Sequence, residues 1–238
     1  MPIPTVKAAL SDRQQLTDKY YWFQFEMKDP NKFQFQAGQY ASLGFPDNPS
    51  RRPYSIASSP AEDHGFELIL DTTPNGIGCQ YLLNLPLGGE ATFLAPMGMF
   101  TLAQGAQAQK EKALMFIGTG SGIAPLRSMI LWLLQTQNDQ REIWLYWGLR
   151  FEQDLFLEEE FHELSRAFPN FHFHITLSKA SAEWPLCRGH VTDCLSIHDL
   201  PSDAGYYLCG NKPMIEETVA LLEKKGIPKE SVHHEKFY

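Results

Sequence analysis

At 238 residues the chain is long enough for one large domain or two modest ones. With 43% apolar and 20% charged residues, its composition is that of a folded globular protein rather than a disordered one. The 20 basic and 28 acidic residues leave a formal net charge of -8, which argues against a nucleic-acid binder that works through phosphate contacts.

The N-terminal stretch MPIPTVKAALSDRQQ has no apolar segment of signal-peptide length. The longest apolar run, Met129 to Leu134, is far below the roughly 20 residues that span a bilayer. A cytoplasmic chain with no membrane insertion is expected. The first hundred or so residues read as strands and turns. Tyr20 to Met27 is aromatic-rich and partly alternating, and Gln39 to Phe45, Tyr54 to Ser58, Phe66 to Leu70 and Ala91 to Leu94 are further strand candidates. Gly and Pro clusters such as Pro46-Asp47-Asn48-Pro49 and Leu87-Gly88-Gly89 separate them, and a short helix is expected at Ile77 to Leu83. Many short strands with regular turns predict a small antiparallel β-barrel.

Ala103 to Lys112 has no large apolar residue to bury and reads as a linker or surface loop. Beyond it the pattern changes to strands Ala113 to Ile117, Ile143 to Trp147, Phe171 to Leu177 and Tyr206 to Cys209, interleaved with helices Pro125 to Leu134, Leu155 to Arg166 and Pro213 to Lys224. Such alternation means a parallel sheet covered on both faces. The expected organisation is a barrel domain over residues 1–105 and an α/β domain over 106–238.

Five short stretches carry chemistry. Gly118-Thr119-Gly120-Ser121-Gly122-Ile123-Ala124-Pro125 leaves a buried strand and opens a helix, which points free amides and the positive helix end at an anion; the alternative is a tight turn with no ligand. Arg52-Pro53-Tyr54-Ser55 combines a phosphate-binding guanidinium, a flat face for stacking and a small hydroxyl, or else is a surface arginine beside a strand tyrosine. Gly76-Ile77-Gly78-Cys79 again puts glycines at a helix start, which suits a pyrophosphate, although taken alone a plain turn is the favoured reading. Cys209-Gly210 ends a buried strand where open α/β sheets bind ligands, with the thiol either in the core or facing the ligand. The chain closes on Glu235-Lys236-Phe237-Tyr238.

In this order the five stretches resemble the ferredoxin–NADP⁺ reductase superfamily across nearly the whole chain, with Tyr146 to Arg150 and Leu177 to Leu195 similar to flavin reductases and oxygenase reductase components. The resemblance implies an FAD-dependent oxidoreductase that moves hydride from NADPH or NADH to FAD. It implies that Arg52 binds the FAD pyrophosphate, that Tyr54 packs on the isoalloxazine and that Ser55 bonds near flavin N5, with Pro53 in the same motif. The second flavin motif has serine where Cys79 stands, so the backbone contacts of Gly76 to Cys79 carry over and a hydroxyl contact does not. Gly118, Thr119, Gly120 and Gly122 correspond to the nicotinamide-nucleotide pyrophosphate loop. Ser55, Cys209, beside Gly210, and Glu235 correspond to the groups that orient the nicotinamide. Phe237 corresponds to the aromatic that covers the flavin, and Tyr238 is assigned to the FAD adenine.

Arg150, with Lys179 and Arg188, is a candidate reader of a 2′-phosphate and favours NADPH slightly. The acceptor is expected to be a separate protein such as a ferredoxin, a flavodoxin or an oxygenase component, or a small molecule. Up to Gln109 there are 7 basic and 10 acidic residues, and none of the basic ones lies between Pro53 and Gln109, so neither half offers an overall basic face to an acidic partner. A flavin reductase that releases its product and a non-catalytic nucleotide-binding subunit are the alternatives. The four cysteines have neither C-x-x-C spacing nor a ferredoxin run, so reduced thiols and no iron–sulfur cluster or other metal are expected. His172 and His174 read as structural residues on one face of a strand, and a monomer is expected.

Overall fold

The computed structural model of the chain describes residues 3–237, without the side chain of Phe237. Contacts group the chain into two compact units. The first runs to Thr101 and includes Arg127–Gln137; the second comprises Leu102–Leu126 and the residues from Asn138 onward.

The first unit is an antiparallel barrel of β1 (Thr5–Gln15), β2 (Tyr20–Asp29), β3 (Tyr40–Phe45), β4 (Asn48–Ser55), β5 (Gly65–Asp71) and β6 (Glu90–Met97), in the order β4-β3-β6-β1-β2-β5. The two ends of that order meet just past β4, where Ile56 bridges Leu68 and the Ala57 amide donates to the Glu67 carbonyl at 2.8 Å. Joining the ends removes exposed strand edges. Alternation along β2 turns Phe23, Phe25 and Met27 inward. Phe25, Phe66 and Phe93 then meet pairwise at 5.2–5.4 Å, two of the three contacts edge-on, which aromatic quadrupoles favour. The helix between β5 and β6, α1 (Ile77–Asn84), is held at its far end by Arg13 of β1, whose Nη1 donates to the carbonyls of Leu82, Leu83 and Leu85. A cation there complements the negative end of the helix and satisfies otherwise orphaned carbonyls.

Arg127 also belongs to this unit. Its guanidinium meets Glu67 at 2.6 Å and the Ala57 carbonyl at 2.8 Å, and Ser128 Oγ donates to the Ser58 carbonyl at 2.6 Å. The side chains of Arg127 and Glu67 are only 12% and 11% exposed, so the charges are paired away from water.

The second unit is a six-stranded parallel sheet in the order β10-β9-β8-β7-β11-β12. Its strands are β7 (Ala113–Thr119), β8 (Glu142–Leu149), β9 (Phe171–Leu177), β10 (Cys187–Arg188), β11 (Ala204–Asn211) and β12 (Val232–Phe237). Its helices include α2 (Gly105–Lys110), the start of α3 (Ile123–Leu131), α4 (Glu158–Ala167), α5 (Val191–Ser196) and α6 (Lys212–Lys224). β7 and β11 are buried along almost their whole length, as parallel strands covered on both faces must be. The chain builds outward from β7 through β8, β9 and β10, then returns to place β11 and β12 on the other side. The order therefore reverses between β7 and β11, where α/β sheets open a crevice.

Two expectations are corrected. Ala103 to Lys112 is not an irregular linker throughout: Gly105–Lys110 is helical, although it buries no residue. Cys187 and Cys194 are not reduced but disulfide-bonded, with Cα atoms 5.8 Å apart. The bond joins β10 to α5, two elements too short and too polar to show in the sequence pattern. Cys79 and Cys209 are free and buried. No helix among the described residues is long and apolar enough to cross a membrane.

Candidate functional site

Each unit has one place where the predicted residues converge. In the barrel it is the N-terminal turn of α1 against β4. Arg52 and Tyr54 are two apart on β4 and face the same way, towards Gly78. A Cβ on Gly78 would fall on the Tyr54 hydroxyl and lie 3.2 Å from Arg52 Cγ, so only glycine lets the helix start lie this close to both side chains. The sheet pairs Tyr54 with Ala41 and Ser55 with Tyr40. Ser55 is 7% exposed. Arg52 is exposed; its Nη1 donates to the Arg51 carbonyl at 2.9 Å, and it meets no carboxylate among the described residues. Arg51, facing the other way, is bound to the carbonyl and hydroxyl of Ser42. A cation beside a helix N-terminus is an anion site built from side chain and backbone together. Gly76 is the N-cap of α1 and is exposed, with nothing near the position a Cβ would take.

Cys79, by contrast, points away from solvent. Its thiol donates to the Asp71 carbonyl at 3.6 Å. Burial raises the pKa of the Cys79 thiol and of the Tyr54 hydroxyl, with Cys79 adding to the effect on Tyr54, so both stay protonated near neutrality.

In the parallel-sheet unit the convergence lies at the carboxyl ends of β7, β11 and β12. Sheet register sets Cys209 between Gly118 of β7 and Glu235 of β12. Gly120 follows with a positive φ of 54°, then a turn of 3-10 helix runs into α3. A Cβ on Gly122 would strike the Cys209 carbonyl oxygen and lie 2.7 Å from its carbon. The two glycines thus serve different needs, one conformational and one steric. Gly210 has φ 152°, and a Cβ there would fall on Thr119 Oγ1. Thr119 Oγ1 in turn accepts from the Asn211 side chain at 3.2 Å, while Asn211 Oδ1 caps α6 through the Met214 amide at 2.9 Å. Cys209 is fully buried; desolvation first, and Glu235 second, push its thiol well above its usual pKa. The site therefore holds a neutral thiol rather than a thiolate nucleophile.

Asn211 and Trp147 are organisers that lie within the motif stretches but to which the motifs assign no role. Asn211 carries a readable signal, an N-cap residue just before Lys212-Pro213. Trp147 does not: its fully buried indole donates to the Gly120 carbonyl at 3.1 Å, a contact only the fold brings about.

The basic candidates are partly brought together. The Lys179 amide donates to the Arg150 carbonyl at 2.8 Å, and Arg188 pairs with Leu177 across β9 and β10. The Arg150 guanidinium lies 5.3 Å from the Phe151 ring centroid, whereas that of Arg188 is bound to the carbonyls of Ala182 and Trp184. The assignments to the side chain of Phe237 and to Tyr238 lie outside the described residues. His172 and His174 face one side of β9, as expected, and stack with Trp144; His174 also meets Tyr146 at 5.0 Å and His198 at 4.5 Å. No group of side chains suited to a metal occurs among the described residues.

Comparison with known proteins covers both units. A family model for the oxidoreductase FAD-binding domain matches residues 7–102, and one for the oxidoreductase NAD-binding domain matches residues 116–220. The chain is 31% identical to ferredoxin–NADP reductase B of Sorangium cellulosum, over 90% of this chain and 89% of that protein. It is 30% identical to the reductase component of propane 2-monooxygenase from Rhodococcus jostii, covering all of this chain but 65% of that relative. The structure superimposes on the Amycolatopsis cytochrome P450 reductase with a TM-score of 0.86 at 27% identity, over 99% of this chain and 70% of that one.

Proposed function

The chain belongs to the ferredoxin–NADP⁺ reductase superfamily of FAD-dependent NAD(P)H oxidoreductases, and from that premise we propose that it draws hydride from a reduced nicotinamide dinucleotide onto FAD and passes electrons to a separate acceptor protein. The convergence of Arg52, Tyr54 and Gly78 at the start of α1 carries this reading, because a retained dinucleotide needs both a charge for its pyrophosphate and a surface for its rings. When bound, FAD supplies the two-electron chemistry; the protein supplies position and electrostatics.

Arg52 and the amides from Gly76 onward hold the pyrophosphate, and Tyr54 lies against the ring system. Ser55 offers a hydrogen bond beside it. In the other unit, Gly118, Thr119, Gly120 and Gly122 bring backbone close to the second pyrophosphate, and the sheet register puts Cys209 and Glu235 side by side to receive the nicotinamide. Cys209, as a neutral thiol, fills space without competing as a nucleophile. Glu235 offers a carboxylate to the nicotinamide amide. Arg150 and Lys179 are the remaining candidates for the adenosine phosphate, since Arg188 is already bound to its own loop. Relatives carry names with both nucleotides: a ferredoxin–NADP reductase, and one component of the Na⁺-translocating NADH–quinone reductase of Neisseria meningitidis.

The acceptor is proposed to be an oxygenase component or a ferredoxin, in keeping with the relatives' names, with a monomer working in the cytoplasm. Gel filtration of the holoprotein under anaerobic NADPH or NADH separates this from a flavin reductase. Retained flavin that co-elutes with the protein after reduction is the expected result. Reduced flavin that elutes apart from it would replace the reading with flavin release.

A further inference from the structure

An open groove of about 460 Å³ runs along one face of α1, and none of Arg52, Tyr54 and Ser55 lines it. Its volume falls within the roughly 300–1,000 Å³ usual for small-molecule sites. One wall is Ile77, Gln80, Tyr81 and Asn84, which recur at helical spacing and so share a face. The other is the tip of the β3–β4 hairpin, where Phe45 pairs with Asn48 past a register shift. Phe45 and Tyr81 meet edge to face, with ring centroids 5.5 Å apart and planes at 84°. Both pack against the barrel core and keep part of their surface open. In such a pair the ring that presents its edge keeps both faces clear of its partner. The Tyr81 hydroxyl donates to the Glu90 carbonyl at 3.4 Å, which tethers that ring.

The groove continues from the pyrophosphate site. Ile77 opens both α1 and the groove, and Gly78 beside it packs against Arg52 and Tyr54. Tyr81 lies four residues beyond Ile77, about 6 Å along the helix axis. A group attached to a phosphate at the helix start is therefore within reach of it. The helix wall is fixed at both ends, by the close approach of Gly78 and by Arg13 on the last carbonyls.

Charge selects what fits. Among the described residues none that lines the groove is basic, so a further phosphate has no partner there. Asn48, Gln80 and Asn84 supply neutral amides, which suit the edge of an adenine. Asp47 offers a carboxylate of the kind that accepts from ribose hydroxyls.

We propose that this groove seats the adenosine end of FAD, with Tyr81 and Phe45 as the aromatic contact of the adenine, and that it makes the barrel choose FAD over FMN. The assignment rests on the reading that Arg52 and the start of α1 hold the FAD pyrophosphate. It places the adenine in the barrel rather than at Tyr238, to which the resemblance assigns it.

The test titrates full-length protein, stripped of flavin, with FAD and separately with FMN, which lacks the adenosine end. The ratio of the two affinities is read for the wild type and for Y81L, F45L and Y81F, with melting temperatures alongside. A change that merely loosens the fold lowers both affinities and leaves the ratio alone. The wild type should prefer FAD by about tenfold or more, the scale of one base stacked on an aromatic ring. Y81L keeps apolar bulk but loses the flat face, and should cut that preference about tenfold; F45L should cut it about fivefold. Y81F keeps the face and should stay within about twofold of the wild type. A ratio unchanged in Y81L would overturn the groove as the adenine seat, and so would a wild type that binds FMN as tightly as FAD. A wild type that takes up neither flavin would instead overturn the cofactor reading on which the assignment rests.

Discussion

The barrel and the parallel sheet each build a place for a dinucleotide, and they do so with different materials. The barrel sets a full charge, Arg52, beside a helix start and packs Tyr54 against the same turn at Gly78. The sheet sets no cation in its Gly118 to Gly122 loop. It relies on backbone brought close by Gly122 and Gly210 and on one threonine braced by Asn211. A site made of charge and packed side chains suits a group that stays. A site made mainly of backbone amides suits one that comes and goes, because little side-chain order is lost or regained at each visit.

Substitution breaks this contrast one side at a time. R52A removes a charged donor, so FAD affinity should fall about 10- to 100-fold while nucleotide affinity at the other site is unchanged; FAD fluorescence on reloading reads the first and calorimetry with NADP⁺ the second. G122A should do the reverse. Its Cβ meets backbone rather than a flexible side chain, so the strand end must shift, and nucleotide affinity should fall about tenfold or more with FAD content intact. Equal losses of both ligands in either variant would mean that the two sites are not separable in this way.

The smallest expected effect concerns acid. Burial, then His198 and His172, lower the pKa of His174 below 6.5. The unfolded chain therefore takes up a proton before the folded one does, so this contribution to stability is intact above about pH 6.5 and fades as pH falls through the folded value. The sheet unit should lose melting temperature between about pH 7 and about pH 5, and H174F should flatten that slope. The barrel has no matching histidine stack among the described residues, so its melting should follow acid less steeply.

How far the sequence revealed these sites follows the same division. β2 was legible because large aromatics alternate with polar residues along part of it, β5 because a short, mostly apolar run stands between turn residues, and β7 because a run of apolar residues has nowhere to go but a buried parallel sheet. β1 was missed although Val6, Ala8 and Leu10 do alternate inward, since small residues and the polar tail to Gln15 dilute the pattern. β12 is hydrophilic, and pairing with β11 alone makes it a strand. α2 is helical by its Ala, Gln and Lys content without burying anything, which a search for buried faces overlooks. Motif spacing located Arg52, Tyr54, Gly122 and Cys209, but not the direction in which Cys79 points, nor the disulfide of Cys187, which depends on two short elements meeting.

Anaerobic mixing of the yellow, FAD-loaded protein with NADPH and, separately, NADH, followed at the flavin absorbance, tests the central claim most directly. Bleaching by at least one nucleotide within seconds is expected, slowed strongly in S55A and E235A proteins that still hold their FAD. A yellow wild-type protein that neither nucleotide bleaches would contradict hydride transfer to a bound flavin.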